Sequence, residues 1–151
     1  MDGALRSQRH AASRLTLRQY AHETLRSRLG RVAFELRHTR QSLDAERIHD
    51  LRVSIRRLTA ALRIFADAVP AAEAKKVRVE LKEIMEQAGA VRELDIALEL
   101  AAKAGVAEAS PLVAILRAQR GEGERRLLEA VRSAWRGNAS LRWRERLQLH
   151  A

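Results

Sequence analysis

The chain has 151 residues, enough for one ordinary domain with a core of its own. With no cysteine, two prolines, seven glycines and no apolar run near the roughly 20 residues of a membrane-spanning helix, disulfide frameworks, thiolate chemistry, turn-rich β folds and bilayer spans are all excluded. Lys+Arg 29 against Asp+Glu 19 leaves a formal net charge of +10, and 25 of the 29 cations are arginine, so the expected partner is a polyanion.

Residues 1–13 are polar, carry Arg6 and Arg9, and lack the apolar stretch of a secretory signal, so they read as a flexible N-terminal tail on a cytoplasmic protein. From about residue 14 to 42, Ala21, Leu25, Leu29, Val32 and Leu36 recur at helical spacing and predict a first helix with one buried stripe. Asp44 is a good N-cap for a second helix, with Glu46 in its first turn to complement the helix dipole. Over residues 45–69, Ile48, Leu51, Ile55, Leu58, Leu62 and Phe65 alternate steps of three and four, the buried face of a bundle helix. Val69-Pro70 ends it, because the residue before proline is pushed out of the α region.

A third helix, about 72–104, keeps its period through Leu81, Ile84, Ala88, Val91, Asp95 and Leu98 and stops at Gly105. Gly89 in its middle costs roughly 1 kcal/mol against alanine and signals close packing or a kink. Ser110-Pro111 reads as the N-cap and first residue of a fourth helix, about 111–136, with Leu112, Leu116, Leu127, Val131 and Trp135 as its stripe. After Gly137-Asn138, residues 140–150 predict a short terminal helix carrying Leu141, Trp143 and Leu147. Four amphipathic helices with short connectors predict an all-α chain: an antiparallel four-helix bundle over 14–150 with a short C-terminal helical segment.

Arginine donates bidentate hydrogen bonds to phosphate and never loses its charge, so it suits anion capture. A coding sequence rich in G and C raises arginine in the same way, so placement decides. With His49 at zero on a wheel of 100° per residue, Arg52, Arg56 and Arg63 fall at about 300°, 340° and 320°, opposite the apolar face. The ridge is about 60° wide and about 21 Å long, with Arg57 flanking it. Lys75, Arg78 and Lys82 repeat the spacing on the third helix, and Arg92 follows near the same side. Like charges stacked at i+3 and i+4 repel, and a merely solvated face mixes its signs. Two such ridges facing each other make a positive groove. His49, among arginines that disfavour its protonation, is expected to hydrogen-bond; the scattered histidines offer no metal-ligand spacing.

The run Ile48-His49-Asp50-Leu51-Arg52-Val53-Ser54-Ile55-Arg56-Arg57-Leu58 resembles the histidine-arginine signature of the CHAD family, the histidine-bearing α-helical domain. The run Ala88-Gly89-Ala90-Val91-Arg92-Glu93-Leu94-Asp95-Ile96 resembles its second signature, Gly-x-x-Arg-Asp-x-Asp-Val. The resemblance implies an α-helical domain that binds inorganic polyphosphate in a basic groove without catalysing a reaction on it, in the cytoplasm and in association with polyphosphate granules. It assigns contacts to His49, Arg52, Arg56, Arg57 and Arg63 on the second helix, and to Lys75, Arg78, Lys82 and Arg92 on the third. It implies no catalytic residue, no metal and no cofactor. Thr59 stands where the family commonly has arginine, and Glu93 replaces the usual aspartate. A full family domain sets two four-helix bundles across a pore; this chain is long enough for one, so a homodimer is expected, with Trp135, Trp143, Leu147 and the terminal segment as a route for its apolar contact. Arg92 and Asp95, at i+3, either serve the structure, pairing with each other or anchoring neighbouring helices, or leave Arg92 for phosphate.

Two other classes compete. Nucleic-acid binding shares the charge, but 3% aromatics supply no stacking platform and no DNA-binding motif is present. A histidine-phosphotransfer bundle would use His49, yet Arg52-Val53 stands where such proteins carry Lys-Gly. Hydrolysis would need metal-binding carboxylates beside the phosphate, and Glu46 and Asp50 lie off the ridge crest.

Overall fold

The structure, a computed structural model, describes the backbone of residues 2–150 and the side chains of 6–10 and 16–150; Met1, at the head of the expected tail, lies outside the described residues. Among the described residues five α-helices follow one another: α1 (Asp2–Gln41), α2 (Ala45–Ile64), α3 (Ala71–Lys103), α4 (Pro111–Arg136) and α5 (Ala139–Arg146), with a 3₁₀ turn at Ala66–Ala68 after α2. The first helix begins at Asp2 rather than near residue 14. No glycine beyond Gly3 and no proline interrupts residues 2–29, so nothing in the covalent chain ends the helix where its buried stripe ends.

The caps follow the expected chemistry. Asp44 accepts the Arg47 backbone N–H at 2.9 Å at the start of α2, and Ser110 accepts that of Leu112 at 3.3 Å ahead of Pro111. Backbone bonding at the Asp44 cap outweighs desolvation and holds its carboxyl below the ordinary aspartate range.

Neighbouring helices run antiparallel. His22 Nε2 on α1 meets the Ala68 carbonyl beyond the end of α2, while Arg47 at the start of α2 reaches the His38 carbonyl near the end of α1. On α3 and α4, Asp95 meets Arg120, and Val91 lies against Gly123. Arg37 and Arg40 of α1 stack on Trp135 of α4, with guanidinium carbons 5.4 and 4.7 Å from the ring centroid, and close the four-helix ring.

The core is the set of stripes read from the period: Leu25, Leu29, Val32 and Leu36; Ile48, Leu51, Ile55, Leu58 and Leu62; Leu81, Ile84, Ala88 and Val91; Leu127 and Val131. The stripe of α4 needs one correction. Val113 is buried and Leu112 is half exposed, because Val113 lies five whole turns from Val131 and Leu112 is about 100° off that line. The turns between Leu116 and Leu127 turn Arg120 and Gly123 inward instead of apolar side chains.

The terminal segment is part of the core. Trp143, Leu147 and Leu149 have no exposed surface. Glu80 on α3 fastens it, accepting hydrogen bonds from Arg142 Nη2 at 2.6 Å, Trp143 Nε1 at 2.8 Å and Arg146 Nη1 at 2.7 Å.

Candidate functional site

The outward seam between α2 and α3 is a groove of about 700 Å³. Arg56 and Arg63 reach it from α2, and Lys75, Arg78 and Lys82 from α3. Their spacing explains the convergence: each set lies on the helix face turned away from that helix's buried stripe, and the two helices are neighbours. Among the described residues Arg56, Arg63, Lys75 and Arg78 make no ion pair, while Lys82 stands 3.8 Å from Glu86. Between the cations the lining is mostly apolar, with Ile55, Ala60, Val79 and Met85 beside Thr59, and Glu86 stands at the Lys82 end.

Arg52 occupies the α2–α3 contact beside this groove. A Cβ at Gly89 on α3 would stand 4.0 Å from its Nη2, an ordinary contact, so the guanidinium does not require glycine there. The close packing expected at Gly89 is therefore not what the structure shows, and α3 is continuous on both sides of it. Arg52 is half-buried, and its Nε is buried without a hydrogen-bond partner among the described residues. Burial lowers its pKa below the ordinary arginine value, and nearby Arg56 and Arg92 add to this against the pull of Glu93. Arginine keeps its proton regardless, so the crowding appears as uncompensated positive charge that a bound anion relieves. Because Arg52 is part of the helix contact, reversing its charge tests packing as well as binding.

The remaining predicted residues sit apart. His49 and Arg57 line a cleft of about 500 Å³ on the α1 side of α2, with Ser27, Arg28 and Arg31. His49 is exposed and makes no hydrogen bond to the described residues. Both residues lie on α2, and α1 rather than α3 forms their opposite wall. Arg28 and Arg31 were not among the expected contacts. Their signal in the sequence is that they flank Leu25, Leu29 and Val32 at the edge of the buried stripe; Arg31 is held by Glu35 at 2.6 Å, and Arg28 is unpaired among the described residues.

The pairing of Arg92 with Asp95 does not form. Asp95 Oδ1 accepts from Arg120 Nε at 2.5 Å, while Arg120 also pairs with Glu124 and donates to the Leu43 carbonyl at 3.1 Å. The hydrogen bond that Arg120 donates to Asp95 is the main reason that it holds its proton more tightly than an ordinary arginine, against the desolvation it suffers. Arg92 is left half-buried near Arg52. Among the described residues no three His, Cys, Asp or Glu side chains are grouped to hold a metal ion, and no helix is long and apolar enough to cross a membrane.

Comparison with known proteins gives one positive finding: the family model described as CHAD domain matches residues 23–151. No curated protein and no solved structure matches the chain.

Proposed function

The chain belongs to the CHAD family, and from that premise we propose that it binds inorganic polyphosphate, non-catalytically, in the groove between α2 and α3. The family is associated with polyphosphate, and one observation supports this use of the groove: the cations converging there are almost all without carboxylate partners. A linear polyanion laid along the ridges replaces its own counterions with arginine and lysine, so binding draws on counterion release and falls steeply with salt. Arg56, Arg63, Lys75, Arg78 and Lys82 are the direct contacts, and Arg52 and Arg92 add positive potential from the flank. Arg57, with His49 beside it, extends the surface over the crest of α2 toward the α1 cleft as further contacts. The role in this reading is capture, carried out in the cytoplasm and at polyphosphate granules.

A second copy supplies the opposite wall. Trp143 and Leu147 are consumed by the core of their own chain and cannot form the contact expected of them, and Trp135 is covered by Arg37 and Arg40. The dimer is therefore held chiefly by the ligand, which bridges walls that repel when free.

The test is Arg56→Glu with Lys82→Glu, both exposed, in a polyphosphate titration at several salt concentrations. With about 0.7 counterions released per phosphate neutralised, five contacts give a log–log salt slope of about −3 to −4. The double variant should lose binding at moderate salt with its helicity unchanged. Unchanged affinity, or duplex DNA outcompeting polyphosphate at equal phosphate concentration, would reject the reading.

A further inference from the structure

The α2–α3 groove is more than a row of charges. Ile55, Ala60, Val79 and Met85 line its floor, and Val79 is 61% exposed although it sits among Lys75, Arg78 and Lys82. An inorganic polyanion has no apolar part and leaves that floor in water. An amphiphile covers it. The wall on α3 from Lys75 to Glu86 is about 17 Å long, which matches about three turns of α-helix. Cations along both edges of an apolar strip complement a helix with leucine-like residues on one face and carboxylates on its flanks.

We propose that this groove also receives an acidic amphipathic helix of a partner protein, its apolar face on Ala60, Val79 and Met85 and its carboxylates on the flanking arginines and lysines. The helix and polyphosphate use the same cations, so they exclude each other. They differ in one respect: only the helix gains from the apolar floor. Salt therefore weakens the helix less than it weakens polyphosphate, because part of its binding energy is not electrostatic. A segment this short is marginally helical alone, so it folds as it binds.

The inference stands apart from polyphosphate binding and is tested apart from it. The probe is a labelled peptide of about 14 residues with leucines at i, i+3, i+4 and i+7 spacing and glutamates on the flanks, against a peptide of equal charge with serine for leucine. Fluorescence anisotropy with the full chain should show the leucine peptide binding at least about tenfold tighter, with a gain of helical circular dichroism. Val79→Ser, at an exposed position and between residues of similar helix propensity, should weaken the leucine peptide by about three- to tenfold and leave polyphosphate affinity unchanged. Arg56→Glu with Lys82→Glu should weaken both ligands, and polyphosphate should displace the peptide.

Equal affinity for the two peptides, or no effect of Val79→Ser, would show that the groove reads charge alone and would overturn the proposal. So would failure of the leucine peptide to bind, whether polyphosphate binds or not. Phosphatidylglycerol vesicles form a parallel arm, and a chain that binds vesicles but not the peptide also overturns it. A chain that binds the peptide and not polyphosphate upholds this inference and rejects only the polyphosphate reading.

Discussion

Arg120 Nε lies 2.5 Å from Asp95 Oδ1 across the α3–α4 seam, and this bond withdraws Asp95 from Arg92, one turn earlier on α3. The carboxylate that could have neutralised the α3 end of the basic surface is instead spent inside the bundle. Arg92 consequently adds to the positive field at Arg52. A structural ion pair on one side of α3 thus sets the charge available on the other.

Arg120→Ala should be among the most damaging changes of a polar residue here. It leaves Asp95, whose side chain is 11% exposed and whose Oδ2 already lacks a partner, with no acceptor satisfied, and it strands the Leu43 carbonyl. Removing one member of a largely buried pair costs about 3 kcal/mol. In a chain of this size that lowers the melting temperature by about 6 to 12 °C, readable by circular dichroism. A fall of less than about 2 °C would mean that water screens the pair.

The Glu80 anchor makes stability depend on acid. Burial raises the Glu80 pKa, but the hydrogen bonds from Trp143, Arg142 and Arg146 outweigh it and the net value lies below the ordinary glutamate range. The folded chain therefore holds that proton less readily than the unfolded chain. Its stabilising contribution is complete above the unfolded-state pKa and is lost as pH falls through the folded one. Glu80→Gln should cost about 1–2 kcal/mol at neutral pH, from weakened bonds to two guanidiniums. The difference from the parent should shrink as pH falls below about 4.5, measured by urea denaturation at each pH. A constant difference down to strong acid would assign the effect to packing of α5.

Two glycines inside helices should respond oppositely to alanine. At Gly89 the new methyl stands 4.0 Å from a guanidinium end, an ordinary contact, so the gain in helix propensity of about 1 kcal/mol is realised. At Gly123 it stands 3.2 Å from Val91 Cγ2, and Val91 is fully buried with little room to retreat. Overpacking there offsets or exceeds the same gain. Gly89→Ala should be the more stable of the two by at least about 1 kcal/mol in denaturant titrations. The reverse order would mean that Arg52, not Val91, is the immovable neighbour.

Assembly should follow ligand and salt. Sedimentation should show the dimer favoured by added polyphosphate, and by raised salt in its absence, because both relieve repulsion between facing ridges. A monomer under every condition that still binds polyphosphate tightly would show that one wall is enough.

Periodicity alone determined a great deal about this chain. The spacing of Leu25, Leu29 and Val32, of Ile48 to Leu62, and of Leu81 to Val91 defined the helices, their buried faces and the opposite faces on which the arginines and lysines ride. Those are properties of a single helix, readable because 3.6 residues per turn convert sequence spacing into angle. Which neighbour abuts each face is a property of two helices, and the wheel does not contain it. Only the tertiary structure separated Arg56 and Arg63, opposite α3, from His49 and Arg57, opposite α1. It also joined Arg120 to Asp95 across 25 residues and the terminal helix to Glu80 across more than 60, which turned Trp143 and Leu147 from expected surface contacts into core. The reason is range. Apolar burial repeats along the chain and is legible residue by residue, whereas a paired charge depends on where another helix has been rotated and set down.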